Sequence, residues 1–277
     1  MTTNADDIDV TTLADRFTPG SVVVDPFVVE YFAAGDGDPL VVLHGAGGPE
    51  FSIALARLAQ RFRVVLLQIP GFGDQVNDVH QSLEELADAI AHAVAAMGIE
   101  RYHLLGTSFG GAVAACLAIA HPDRLLSLVL DAPALFRVDA VPPAPDSDPS
   151  ELAARFRANP DREPRFSQPV PTANAQQWPF VEKLLSSRAE YDTGIAEKLQ
   201  NCSVRTLVVF GDRDGIIPPS NGRIYRRIMP NCALIYLYGA AHAAQFDRPE
   251  AFSDVVGDFL ERGWEFLIPH ESTMINP

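Results

Sequence analysis

The chain is short of cysteine, of basic residues and of long apolar runs, and each shortage removes a class of function. Its three cysteines, Cys116, Cys202 and Cys232, are scattered, odd in number and include no C-x-x-C pair, so they frame neither a disulfide scaffold nor a zinc site. They read as small buried hydrophobes, which suits a reducing compartment and predicts a cytoplasmic protein. Lys and Arg number 21 against 36 Asp and Glu, a formal net charge of −15. A polyanion is repelled by that field, so neither nucleic acid nor an anionic membrane surface is the expected partner. No apolar run approaches the roughly 18 residues of a membrane span. The opening "MTTNADDIDVTTLADRF" is acidic and lacks the basic start and apolar centre of a secretory signal. No internal repeat is visible.

What is present is enough for one large α/β domain or two small ones: 277 residues, 47% of them hydrophobic. Short runs rich in Val, Ile and Leu recur along the chain: "PLVVLHG" (39–45), "FRVVLLQIPG" (62–71), "YHLLG" (102–106), "LLSLVLDAP" (125–133), "RTLVVFGD" (205–212) and "ALIYLYG" (233–239). Most stop at Gly or Pro and read as buried parallel strands. Between them, "SLEELADAIAHAVAAMGI" sets Leu83, Leu86, Ile90 and Val94 at helical spacing, with Ser82 as N-cap and Glu85 three residues on. Strand alternating with helix implies a mostly parallel sheet covered on both faces. Before the first parallel strand, "SVVVDPFVVEYFAAGDGDP" predicts an antiparallel hairpin at the sheet edge, with Pro26 near its bend. Residues 136–201 break the pattern. They are loaded with proline, carry no convincing strand and contain helical pieces around Leu152, Phe156, Trp178, Phe180, Val181, Leu184 and Leu185. Aromatic content of this kind favours a small folded cap over disorder. The expected organisation is core over 1–135, cap over 136–201 and core again over 202–277.

Within "YHLLGTSFGGAVAACLAIAHP" (102–122), Ser108 stands in a G-x-S-x-G pattern between a strand and a helix. In so sharp a turn the central residue is strained, and side chains two positions either side would collide, which Gly106 and Gly110 avoid. The turn holds the hydroxyl above the carboxyl ends of the strands, beside the N–H groups that open a helix. The pattern alone is weak. "GTSFGG" and "HGAGG" (44–48) also resemble dinucleotide-binding glycine turns, but neither has the full spacing, and the chain has no Y-x-x-x-K or G-x-x-x-x-G-K-[ST] motif. Ser108 as a mere small turn residue is the other alternative.

A nucleophilic serine needs a base, and the base a carboxylate to hold its tautomer. Of seven histidines, only His242, in "LYGAAHAAQFDRPEAF", follows the last strand on the correct sheet edge. His44, His80, His92, His103, His121 and His270 fall at strand starts, strand ends, helices or the tail. "VVFGDRDGIIPP" offers Asp212 and Asp214 for the acid, and Asp131, after "SLVL", is a third candidate.

Taken together, these residues resemble the α/β-hydrolase fold superfamily, serine-nucleophile branch, over nearly the whole chain. "VVLHGAGG" is similar to its oxyanion loop, "IPGFGD" to the turn after the next strand, "GTSFGG" to its nucleophile turn, "GDRDGIIP" to its acid loop and "GAAHAAQFDRPEAF" to its histidine loop. The resemblance implies an eight-stranded, mostly parallel sheet with helices on both faces and a helical cap. It implies Ser108, His242 and Asp214 as catalytic residues, and Ala46 and Phe109 as main-chain oxyanion donors. It leaves Asp212 as a loop brace and Asp131 as a brace for the base of the cap.

Gly47, Phe156, Trp178 and Phe180 are candidate pocket residues, with Phe166 beside them. No cofactor and no metal are implied. The expected reaction is acyl-enzyme hydrolysis of a small or medium, partly apolar ester. The alternatives are cleavage of ring-fission dienones at a carbon–carbon bond and ligand binding without turnover. Two departures are informative. Gln68 replaces the Asp that relatives carry before the P-G-F-G turn, and Ala243 stands where carbon–carbon bond hydrolases usually carry Trp after the histidine.

Overall fold

The structure, a computed structural model, describes residues 14–141, 148–159 and 177–267. Eight strands form one sheet: β1 (Thr18–Val24), β2 (Phe27–Ala34), β3 (Pro39–Leu43), β4 (Arg63–Leu67), β5 (Tyr102–Thr107), β6 (Leu125–Asp131), β7 (Thr206–Gly211) and β8 (Cys232–Leu237). Their order across the sheet is β1-β2-β4-β3-β5-β6-β7-β8. The β1–β2 hairpin is antiparallel and β2 meets β4 antiparallel. From β4 onward every pairing is parallel. Except for β5, which runs one residue further, the strands end earlier than their apolar runs suggest, because the Gly- and Pro-rich tails of those runs turn away as loops.

Burial follows strand position. Every residue of β5 and of β7 is buried, as expected where helices cover both faces. Within β3, Val41 and Leu43 join the core under α2 (Leu83–Ala96) and α3 (Phe109–Ala120). Leu40 and Val42 point to the opposite face, the core under α1 (Ile53–Leu58) and α9 (Pro249–Arg262). This is the two-residue period of a strand shared between two layers. The α2 start matches its sequence signature, with Ser82 Oγ accepting the Glu85 N–H at 3.2 Å and the Glu85 carboxylate accepting the Gln81 N–H at 2.7 Å. The first bond satisfies an N–H which the helix cannot satisfy itself, and the second ties down the residue before the cap. α3 has no polar face, and residues 109–118 are all buried.

Between β6 and β7 the described chain carries α4 (Pro149–Phe156), α5 (Gln177–Ser186) and α6 (Thr193–Gln200). α6 packs Ile195, Ala196 and Leu199 into the same core as α3 and touches α3 and α7 (Gly222–Ile228). It packs against the helical layer on that face of the sheet. Phe166 lies outside the described residues. No helix among the described residues is long and apolar enough to cross a membrane. The three cysteines are free and buried, as their scatter suggested.

Candidate active site

β5 ends at Thr107 and α3 begins at Phe109, leaving Ser108 alone at the bend with φ +53° and ψ −113°. A Cβ on Gly106 would lie 2.4 Å from the Gly110 carbonyl oxygen, and one on Gly110 would lie 2.4 Å from that of His44. Both glycines are therefore required by close approach of the backbone. The bend is held by its own main chain. The Ser108 N–H donates to the Asp131 carbonyl at 2.8 Å, and the Ser108 carbonyl accepts the N–H groups of Ala112 and Ala134 at 3.1 and 2.9 Å.

His242 lies in the short connection between β8 and α8 (Ala244–Asp247). Its Nε2 is 2.9 Å from Ser108 Oγ and its Nδ1 is 2.8 Å from Asp214 Oδ2. The other carboxylate oxygen of Asp214 accepts the N–H groups of Ile216 and Ile217 at 2.8 and 2.9 Å. A carboxylate only accepts, so Nδ1 carries the ring proton, and Nε2 is left to accept from the serine hydroxyl. His242 and Asp214 are both buried. The three residues expected from the sequence thus converge. Asp212, the rival acid, points elsewhere and accepts the Gly239 N–H at 2.6 Å, bracing the turn after β8.

Asp131 corrects an expectation. It makes no hydrogen bond to the cap among the described residues; its Oδ2 accepts from the Thr107 hydroxyl at 3.1 Å, its Oδ1 has no partner, and the residue is wholly buried. Burial pushes its carboxyl up to about 7, against opposing pulls from His242 and the Thr107 hydroxyl. Between the ordinary carboxylate range and pH 7, the folded chain keeps a proton here that the unfolded chain has lost. Stability therefore falls as pH rises across that window, by roughly 4 kcal/mol once both states are ionised. We expect the melting temperature of Asp131→Asn, relative to the parent, to rise progressively from pH 4 to pH 8 in thermal scans. A difference independent of pH would contradict the assignment.

His44, just after β3, supports the adjoining loop. One ring nitrogen is 2.7 Å from the Gly45 carbonyl and the other accepts the Ile69 N–H at 3.0 Å. Burial lowers its pKa to about 4, so it stays neutral. Ala46 and Phe109 both line the cavity at Ser108, and the N–H of neither finds a main-chain acceptor among the described residues. Gln68 spans from Glu30 on β2 (3.2 Å) to the Phe72 carbonyl (3.3 Å), tying the P-G-F-G turn to the sheet.

Ser108 opens into a cavity of about 650 Å³. Of the candidate pocket residues, Gly47, Phe156 and Trp178 line it. Phe180 does not. It is buried beneath the wall, edge-on to Phe109 with ring centroids 6.5 Å apart, because its place on α5 turns it toward the core. Sequence reading missed the three arginines of the wall, Arg137, Arg155 and Arg157. Arg137 and Arg157 stand in connections with no period to read, and Arg155 sits in the last turn of the short helix α4.

A model of the alpha/beta hydrolase family matches residues 40–255. The chain belongs to that family. This alpha/beta hydrolase is 31% identical over 251 residues to a pimeloyl-[acyl-carrier protein] methyl ester esterase of Aeromonas hydrophila, covering 82% of this chain and 96% of the relative. It is 28% identical over 267 residues to a 2-hydroxy-6-oxo-6-phenylhexa-2,4-dienoate hydrolase of Comamonas testosteroni, covering 85% and 92% of the two chains. Among solved structures, it superposes on a bacterial membrane phospholipase A with a TM-score of 0.74 and 26% identity, over 91% of this chain and 88% of the other. A Rhodococcus 2-hydroxy-6-oxo-6-phenylhexa-2,4-dienoate hydrolase shares the fold at a TM-score of 0.71 and 22% identity, over 88% and 99%.

Proposed function

We propose that the protein is a serine hydrolase that cleaves a small or medium, partly apolar carboxylic ester through an acyl-enzyme. The observation that carries this reading is the continuous contact from Asp214 through His242 to Ser108, at 2.8 and 2.9 Å, opening on a largely apolar cavity. His242 takes the Ser108 proton as Oγ forms a bond to the substrate carbonyl carbon. The N–H groups of Ala46 and Phe109 receive the resulting oxyanion. The carbon–alkoxide bond then breaks and His242 returns the proton to the departing alcohol. Water repeats the cycle, freeing the acid and restoring Ser108. The chemistry consumes only water, so it calls for neither cofactor nor metal. The helices flanking the mouth act as a cap that selects the acyl chain, and the buried free thiols suit a reducing cytoplasm.

Carbon–carbon bond hydrolysis is the second reading, supported by relatives so named. Ala243 weighs against it, since the family resemblance places Trp there in such enzymes. A fluorophosphonate should label Ser108, located by mass spectrometry, and short p-nitrophenyl esters should turn over repeatedly. Folded protein with Ser108 unmodified sinks the assignment. Labelling together with turnover of a dienone but not of esters selects the second reading, and stoichiometric binding without release selects a ligand-binding protein.

A further inference from the structure

Asp247 was read in the sequence only as part of the histidine-loop motif, yet it is wholly buried and each of its oxygens is engaged. Oδ2 accepts the Ala241 N–H at 2.7 Å, so the residue immediately before His242 is pinned to it. The same Oδ2 accepts the Ala158 N–H at 2.9 Å, and Oδ1 accepts the Asn159 N–H at 2.8 Å. Those last two donors come from the segment that follows α4, 89 and 88 residues away in sequence.

Further bonds run the same way. The Phe156 carbonyl accepts the Ala243 N–H at 2.9 Å, so His242 is flanked on both sides by main-chain ties. The Asn159 amide donates to the Gly239 carbonyl at 2.9 Å. The Arg155 carbonyl accepts the Gly215 N–H at 3.2 Å, and Arg155 Nε donates back to the Gly215 carbonyl at 2.6 Å, beside Asp214. The Phe156 ring meets the His242 ring edge-on, with centroids 5.7 Å apart. Residues 155–159 therefore bridge the loops that carry Asp214 and His242, and the Asp247 carboxylate is the anchor common to the bridge and the histidine loop.

The geometry points to Asp247 as a positioning residue for His242, working through this bridge, so that the chain after α4 is part of what holds the imidazole against Ser108. The inference rests on the acyl-enzyme reading above and deepens it. Three N–H groups converging on one buried carboxylate form strong, charge-assisted bonds. An amide in its place must turn its NH₂ toward at least one of those donors, because only its oxygen accepts. The loop then shifts, and a displacement of about 1 Å at a reacting group costs on the order of 100-fold in rate.

The test is the rate and extent of fluorophosphonate labelling of the full-length protein, read beside kcat and KM for p-nitrophenyl butyrate. We expect Asp247→Asn to label to completion but about 100-fold more slowly, with kcat reduced in step and KM within about threefold of the parent. A residue that only stabilises the fold gives the opposite pattern: a smaller fraction labelled, at the parental rate. That result overturns the proposal.

Should Asp247→Asn fail to fold, Ala158→Pro and Asn159→Ala remove single ties of the bridge and leave the buried carboxylate intact. Arg157 already has the extended conformation that a following proline favours (φ −134°, ψ 121°). Each is expected to slow labelling about tenfold, with labelling still complete, as the loss of one tie among several moves the loop less. Parental labelling rates in both would overturn the bridge. Parent protein that takes no label at all would remove the acyl-enzyme reading, and this inference with it.

Discussion

Replacing Ser108 by Ala is expected to lower ester turnover by about six orders of magnitude, the loss seen when members of a hydrolytic triad act as a unit. In the proposed mechanism the hydroxyl is the atom that bonds to the substrate, and it lies 2.9 Å from His242 Nε2. The fold should not notice. Ser108 caps α3 without a side-chain hydrogen bond to the helix, so Ala removes only the 2.9 Å contact with His242 at the cavity. Its positive φ strains Ala as much as Ser, and the melting temperature should stay within about 2 °C of the parent. Ser108→Gly should be equally inactive but more stable by about 1–3 kcal/mol before the flexibility of Gly in the unfolded chain is subtracted, because Gly tolerates that φ. Steady-state hydrolysis of p-nitrophenyl butyrate and thermal melting measure both effects. Retention of even a hundredth of parental kcat by purified Ser108→Ala would exclude Ser108 as nucleophile.

Asp214→Asn is expected to lower kcat by about 10⁴-fold with little change in KM, for a reason the acid loop makes specific. The N–H groups of Ile216 and Ile217 converge on Oδ1. An asparagine must therefore place its oxygen there, which turns its NH₂ toward His242 Nδ1. The imidazole then accepts at Nδ1 and carries its proton on Nε2, facing the serine with a donor where an acceptor is needed. The hydroxyl loses its base although every heavy atom stays in place. Asp212→Asn, which touches only the turn at Gly239, should keep kcat within a few-fold of the parent. If the two substitutions exchanged these effects, Asp212 and not Asp214 would be the acid.

Much of this site was legible before any coordinates because its parts are local. Gly106, Ser108 and Gly110 are spaced by the needs of one bend. Asp214 and His242 each follow a run of apolar strand residues, and a parallel sheet brings the ends of such runs to one edge. The Asp212 alternative closed only when its carboxylate was seen on Gly239, since two positions in a loop cannot be ordered by spacing alone. Asp131 was misplaced because nothing in "SLVLDAP" says that its neighbour across the sheet is Thr107. Phe180 was misassigned for a related reason: α5 carries Trp178 and Phe180 close together, and which of the two faces the ligand and which the core is not fixed until the helix is docked. Asp247 was visible as a letter in a motif and not as an anchor, because two of its three donors belong to a proline-rich segment with no period to read.

The bend at Ser108 also bears on what the protein must do before each reaction. Its awkward main-chain angles are imposed by helix and sheet closing over two bare α-carbons, so the work of crooking the backbone belongs to the moment the chain first collapses. In the proposed mechanism an incoming substrate would find the attacking oxygen already aimed, with no reorganisation left to raise the barrier. Catalytic speed here is inherited from folding, and a variant that relaxed this corner would gain durability by surrendering haste.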